Sequence, residues 1–167
     1  MRSSGCWTRA PDCRILAPEP VITVRPIDVR TARQLRHQLL RPHQEPWEIV
    51  FDGDGDPDTA HFGAFEDETL VGIASVMRER PPWAQEDERT WRLRGMGTEP
   101  EVRGRGYGGA LLQRCLTHAL DHGADLAWCT ARVPAVGFYR RFGFETVGDV
   151  FDIPPVGPHV LMRRALA

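Results

Sequence analysis

"TEPEVRGRGYGGALLQRCL", residues 98–116, decides how this chain is read. Its first half is a glycine-rich turn, Gly104-Arg105-Gly106-Tyr107-Gly108-Gly109. Its second half turns apolar at spacings of three and four: Leu111, Leu112, Cys115 and Leu116, continued by Ala119 and Leu120. Gly123 is placed to end that helix. Glycines in such a turn let backbone N–H groups come close to an anion. The helix that follows adds the partial positive charge of its N-terminus. Arg103 and Arg105 would add charged donors, each contributing about 1.5–3 kcal/mol when well placed. A diphosphate is the natural ligand. The alternative is a surface turn that merely starts a helix.

Three diphosphate classes compete for this turn. The string also reads G-x-G-x-x-G, the spacing of a dinucleotide site. A nucleotide site of the Walker type needs a lysine, and every one of the 21 basic residues here is arginine. A dinucleotide fold wants an acidic residue about 20 residues further on, after a second strand. That region is "AWCTARV", residues 127–133, with no acid. Coenzyme A remains as a common diphosphate carrier.

Outward from the turn, the pattern is strand, helix, three strands, helix, strand, helix and two strands. "VITVRPI" (21–27) is a short β-branched strand, and Asp28 caps a helix over 29–41 with Leu35, Leu39 and Leu40 on its apolar face. "HFGAF" (61–65) and "LVGIASVMRE" (70–79) read as a hairpin, and "TWRLRGMGT" (90–98) as a third strand. "LAWCT" (126–130) is a strand and "PAVGFYRRF" (134–142) a short helix with Pro134 in its first turn. "FETVGDVFDI" and "HVLMRRAL" close the chain as a strand pair. The simplest packing is one mixed α/β sheet with helices on its faces.

Length and composition fit that picture. A chain of 167 residues suggests one domain with a full core. We read residues 1–20 as an irregular extension and 21–167 as the domain. The formal charge of -2 argues against a nucleic-acid partner. No apolar run approaches a membrane span, and the first twenty residues lack the apolar core of a signal peptide. Cys6, Cys13, Cys115 and Cys129 form no C-x-x-C pair, so no metal site is expected. The last two read as small core residues in a reducing cytosol.

Two motifs carry a resemblance. Arg103-Gly104-Arg105-Gly106-Tyr107-Gly108 is similar to the Arg/Gln-x-x-Gly-x-Gly/Ala signature of the GNAT superfamily of N-acetyltransferases. Downstream, "PAVGFYRRFGF" resembles that family's A-x-x-x-Y-x-x-x-G-F segment through Ala135, Tyr139, Gly143 and Phe144. The likeness spans roughly residues 21–165, and the ending "FDIPPVGPHVLMRR" resembles the ElaA-like branch. One position departs: Arg132 stands where the family often has Asn three residues before that Ala.

The resemblance implies a mostly antiparallel central sheet and direct acetyl transfer from acetyl-CoA to an amine, on a small molecule or a peptide. It implies backbone N–H groups from Arg103 through Gly109 on the diphosphate, with Met96, Gly97 and Thr98 along the pantetheine arm and thioester. Arg132 is carried as a cofactor contact in place of Asn. Gly95 and Gly97 suggest a bulge or a close backbone approach in that strand. Tyr139 is the candidate general acid toward the leaving thiolate. A cytoplasmic monomer or homodimer is expected.

No general base stands out. Glu86, Asp87, Glu88, Glu99, Glu101, His61 and His159 are candidates that read first as structural or solvated residues. "FDGDGDPDTA" alternates aspartates at 52, 54, 56 and 58, yet Pro57 and Gly63 stand where a calcium loop needs Gly and Glu. It reads as a solvated acidic loop that would favour a cationic substrate. Trp47 and Trp83 are loop residues that would line an acceptor cleft. Two other functions remain open: a non-catalytic acyl-CoA-binding domain, and transfer of a longer acyl group.

Overall fold

The computed structural model describes residues 21–84 and 89–166. The extension at 1–20, with Cys6 and Cys13, and the candidate acids Glu86, Asp87 and Glu88 lie outside the described residues. Seven strands form one sheet: β1 (Ile22–Pro26), β2 (Ala60–Glu66), β3 (Thr69–Arg78), β4 (Thr90–Thr98), β5 (Leu126–Arg132), β6 (Glu145–Ile153) and β7 (Gly157–Ala165). Their spatial order is β1-β2-β3-β4-β5-β7-β6. All neighbours are antiparallel except β4 and β5. The mixed, mostly antiparallel sheet expected from the sequence is therefore present, with element ends shifted by a residue or two.

Two helices cover opposite faces. α1 (Val29–Leu40) starts at Asp28, whose carboxylate accepts from the N–H groups of Arg30 and Thr31. That satisfies two donors a helix start leaves open. α2 (Tyr107–Asp121) buries Leu111, Leu112, Cys115, Leu116 and Ala119 against Phe62, Val76, Trp91 and Leu93. Full burial of each large side chain contributes about 1.5–3 kcal/mol, so this face ties α2 firmly to the sheet. Gly123, at φ +76°, lets the chain leave α2 through the left-handed region. The helix expected over 134–142 is a 3₁₀ turn (Val133–Ala135) followed by α3 (Val136–Arg141).

The apolar face of α1 holds a surprise. Leu35 packs with Ala32 and Ile73 as its period predicts, but Arg36 beside it is fully buried. Its guanidinium donates to both Asp54 carboxylate oxygens at 2.9 and 3.1 Å, to Ile49 O at 3.0 Å and to Ser75 Oγ at 3.0 Å. Phe51 stacks on it, with Cζ 4.0 Å from the ring centroid. Asp54 also accepts from Arg33 and from the Phe51 N–H.

This corrects the sequence reading of the 52–58 loop. Asp52 and Asp56 are exposed, but Asp54 is buried and already neutralised. The loop is an ion-paired strap across α1, not a solvated acidic surface. Burial is the largest influence on the Asp54 carboxyl and pushes it up. The hydrogen bonds and charge of Arg36, with the Phe51 N–H and Arg33, outweigh burial and hold it below the usual carboxylate range. His61, a base candidate in the sequence, belongs to the same network. Its Nε2 donates to Asp54 O at 2.9 Å, and its Nδ1 accepts from Ser75 Oγ at 2.8 Å.

Removing Asp54 would leave the Arg36 charge buried without its counter-ion. Asp54→Ala should cost about 3–5 kcal/mol and lower the melting temperature by roughly 6–20 °C. Because the folded carboxyl titrates below its unfolded value, the pair's stabilisation is complete above about pH 4 and lost as pH falls through the folded pKa. Thermal melts of wild type and Asp54→Ala at pH 7 and below pH 4 should converge on acidification. A constant gap would refute the linkage.

Candidate active site

The site begins where two parallel strands part. β4 and β5 pair only from Thr90–Leu126 to Leu93–Cys129. Beyond Leu93, β4 carries a bulge: Ile73 opposes Gly97 and Ser75 opposes Arg94, so Gly95 and Met96 together face Ala74. Gly95 sits at φ +56°, which only glycine adopts freely. A Cβ there would lie 2.6 Å from Arg36 Nε. The expected bulge and the expected close approach are thus one feature. It turns β4 away from β5 and leaves the facing edges of residues 94–98 and 130–132 without strand partners. Unpaired backbone N–H and C=O groups are ready to bind an extended ligand.

The glycine turn lies at the end of β4, after the 3₁₀ turn Pro100–Val102. Gly104 and Gly106 have φ of +77° and +95°, so both need glycine's freedom. The first intrahelical bond of α2 runs from the Ala110 N–H to Gly106 O, leaving the N–H groups of Tyr107, Gly108 and Gly109 at the open end. A Cβ on Gly109 would lie 2.8 Å from Phe142, so its missing side chain serves packing against the segment after α3. The Tyr107 ring is buried and pins the helix start in the core. Arg103 is exposed, with one long contact of 3.5 Å to Thr98 O. Arg105 is engaged by Glu66 in an ion pair.

Tyr139 projects from α3 into the core edge, with Oη 3.7 Å from Met96 Sδ. Burial pushes its phenol far above the ordinary value, so it stays protonated at any physiological pH. Cys129 is likewise pushed up to about 12 by burial, and Cys115 further still. Both thiols are inert core groups, as the sequence suggested. Met96 and Tyr139 meet in a cleft of about 180 Å³ between the parted strands.

The cleft gathers residues the sequence did not connect. Arg41 ends α1, Phe51 comes from the strap, Arg94 from β4, Arg132 from β5 and His159 from β7. Arg132 donates to Leu40 O at 3.1 Å, which turns it toward α1 and away from the glycine turn. The His159 Nδ1 lies 2.6 Å from Gly157 O, a bond that requires a proton on Nδ1 and leaves Nε2 to accept in the neutral ring. Trp47 is 70% exposed and Trp83 packs edge-on against Trp128; neither lines the cleft. Among the described residues no cluster of His, Cys, Asp and Glu would hold a metal ion.

Comparison with known proteins agrees with this geometry. The sequence model described as the acetyltransferase (GNAT) family matches residues 27–144. The chain is 33% identical over 146 residues to the uncharacterised N-acetyltransferase YitI of Bacillus subtilis (strain 168), covering 87% of this chain and 97% of that one. It is 30% identical over 125 residues to the N-alpha-acetyltransferase RimI of Mycobacterium tuberculosis, covering 72% and 75%. The crystal structure of Escherichia coli ElaA superposes with a TM-score of 0.71 at 21% identity, over 86% of this chain and 99% of that one.

The bulge gives a stability test. Gly95 and Gly104 share a positive φ, so alanine at either incurs roughly 1–2 kcal/mol of backbone strain. A Cβ at Gly104 meets nothing within 4 Å, whereas one at Gly95 meets buried Arg36. Gly95→Ala should therefore melt well below Gly104→Ala. Equal melting temperatures would show that the Gly95–Arg36 approach constrains nothing.

Proposed function

The chain belongs to the acetyltransferase (GNAT) family, and on that footing we propose that it transfers an acetyl group from acetyl-CoA directly to the primary amine of a small acceptor. It is an acyltransferase that uses an acyl-CoA cosubstrate. The single observation that carries the finer reading is the split between β4 and β5, with the glycine turn at one end and Tyr139 at its floor. Residues 21–167 are taken as the working unit. A cytoplasmic site of action is part of the same proposal; among the described residues no helix is long and apolar enough to cross a membrane.

In this reading the N–H groups from Arg103 to Gly109 hold the diphosphate, helped by the N-terminus of α2. Arg103 adds a charge at the surface, while Gly104 and Gly106 keep the turn open. The unpaired edge at Met96, Gly97 and Thr98 receives the pantetheine arm and offers a backbone donor to the thioester oxygen. A preorganised donor there stabilises the oxyanion formed when the amine attacks. The amine nitrogen bonds to the carbonyl carbon, the C–S bond breaks, and the thiolate leaves. Tyr139 donates its phenolic proton to that sulfur. The attacking amine gives up a proton to His159 Nε2. Of the side-chain types lining the cleft, only histidine both takes and gives a proton near neutral pH. The tyrosine then regains a proton, and His159 gives one up, through solvent.

A short acyl group suits the floor of the cleft, which Met96 and Tyr139 close. The direct test is CoA release with acetyl-CoA and a panel of amines, run beside a decanoyl-CoA control. Preference for decanoyl-CoA would overturn the acetyl assignment. Acetyl-CoA binding without turnover of any amine would favour a non-catalytic binding domain.

Tyr139→Phe removes one hydroxyl and keeps the ring. Turnover should fall about 10²–10⁴-fold, with little change in the Kd for acetyl-CoA. Near-wild-type kcat in a protein of normal melting temperature would end the general-acid role. His159→Asn keeps an N–H positioned for Gly157 O but loses the base. Its defect should be largest where the wild-type imidazole is neutral while the amine is still protonated, and shrink as pH rises further and the amine loses its own proton. A defect independent of pH would make His159 a packing residue.

A further inference from the structure

The lining of the cleft has one sign of charge. Arg41, Arg94 and Arg132 come from three separate elements, and no carboxylate lines the cleft among the described residues. These three arginines, with His159, open on the α1 side of the sheet. The glycine turn leads into α2 on the other side. From this we propose that the acceptor carries a carboxylate as well as its amine, and that Arg94, Arg132 and Arg41 bind that carboxylate. The inference rests on the acyl-transfer reading above and specifies its substrate class: a small amino acid, not a polyamine.

Each arginine has donors to spare. Arg94 has a side chain 22% exposed, and its one ion pair is a loose 3.7 Å contact with Glu79. Glu79 is held more closely by Arg92 at 2.5 Å. Arg94 stacks on Phe51 at 4.0 Å, opposite Arg36, so its plane is fixed. Burial first, and then the charge of Arg92, pull the Arg94 pKa down to about 10, against a smaller opposing pull from Glu79. That guanidinium lacks a full counter-charge. Arg132 uses one nitrogen on Leu40 O, and Arg41 makes a 3.3 Å contact with Gln44. Neither has a carboxylate partner among the described ion pairs. Burial and the nearby Arg132 lower the Arg41 pKa, opposed only weakly by Glu48.

Helix capping accounts for part of this. The carbonyl end of α1 favours cations, and Arg132 satisfies one orphan carbonyl there. Capping does not explain Arg94, which lies on β4 and touches no helix end. Nor does it explain five-donor forks left facing a cleft. A carboxylate matches a guanidinium fork in shape and charge. The bulge matters again: by adding a residue at Gly95 and Met96, it keeps Arg94 on the α1 side while Met96 turns toward Tyr139. The carboxylate side and the thioester side of the cleft are thereby separated. His159 pairs across the sheet with Arg132, so the proposed base stands beside the proposed carboxylate clamp.

The test uses matched acceptors and two kinds of readout. Leucine, phenylalanine and glutamate are compared with their carboxamides and with the amines lacking the carboxylate, using acetyl-CoA. At least one acid should exceed its carboxamide about 10- to 100-fold in kcat/KM. Arg132→Gln and Arg94→Gln should erase that preference by raising the acceptor KM, with the acetyl-CoA Kd unchanged. Calorimetry on CoA-loaded protein supplies the second readout: N-acetyl amino acids should bind, and their methyl amides should not. Equal or better turnover of the decarboxylated amines overturns the proposal. So does a raised acetyl-CoA Kd in the arginine variants, which would put these side chains on the cofactor. So does failure of every N-acetyl amino acid to bind. Binding of N-acetyl amino acids without turnover of any amine would leave the carboxylate site standing while ending the catalytic reading.

Discussion

The parallel pairing of β4 with β5 stops at Leu93 and Cys129, and the rest of the site depends on that stop. Two buried strands that part within a sheet expose backbone groups that must find partners. This fold tolerates the loss because the bulge at Gly95 and Met96 is stabilised from behind. Arg36 lies against Gly95, and Phe51 is stacked between Arg36 and Arg94. Take away the bulge, and β4 would run on beside β5, closing the cleft with ladder hydrogen bonds. The open edge is thus a local defect held in place by a packed side-chain stack.

The stack in turn depends on Asp54. A buried ion pair is weak evidence for stability, since desolvation cancels much of the attraction. Its value here is positional. Arg36 reaches the strap at Ile49 and Asp54 and the strand β3 at Ser75, so one side chain fixes two segments relative to α1. His61 extends the network by joining Ser75 to the Asp54 carbonyl. An apolar replacement would pack but would not choose among nearby positions of the strap. Directional hydrogen bonds make that choice, and they set where Phe51 stands in the cleft.

The sequence made the fold legible and the cleft only half so. The glycine turn and the Tyr139 segment are local patterns, and local patterns survive without knowledge of partners. Period alone placed Leu111, Leu112 and Cys115 inside. Arg36 defeated the same reasoning, because its burial is decided by partners 18 and 39 residues away. Asp54 was taken as solvated for the same reason: four alternating aspartates look alike until one meets a buried guanidinium. Arg94 was passed over since nothing nearby in the chain marks it, and His159 was one base candidate among seven that read first as structural or solvated. One signal was available, the Gly95-x-Gly97 pair in a strand otherwise rich in bulky residues, and it did point to the bulge.

The aspartate-rich loop was a poor guide to the charge of the cleft. Its four alternating aspartates suggested a cationic substrate. That reading counts charges that do not line the cleft. Asp54 is spent on Arg36 and Arg33, and Asp58 pairs with Arg78. The exposed carboxylates at 52 and 56 act through water, where attraction is weakened by the high dielectric constant and by salt. Arg94 acts at short range in a partly desolvated cleft, where a guanidinium's effect on a ligand is several-fold larger. In the proposed reading, what a small acceptor meets is therefore decided by Arg41, Arg94 and Arg132, brought together in one cleft because two strands fail to pair.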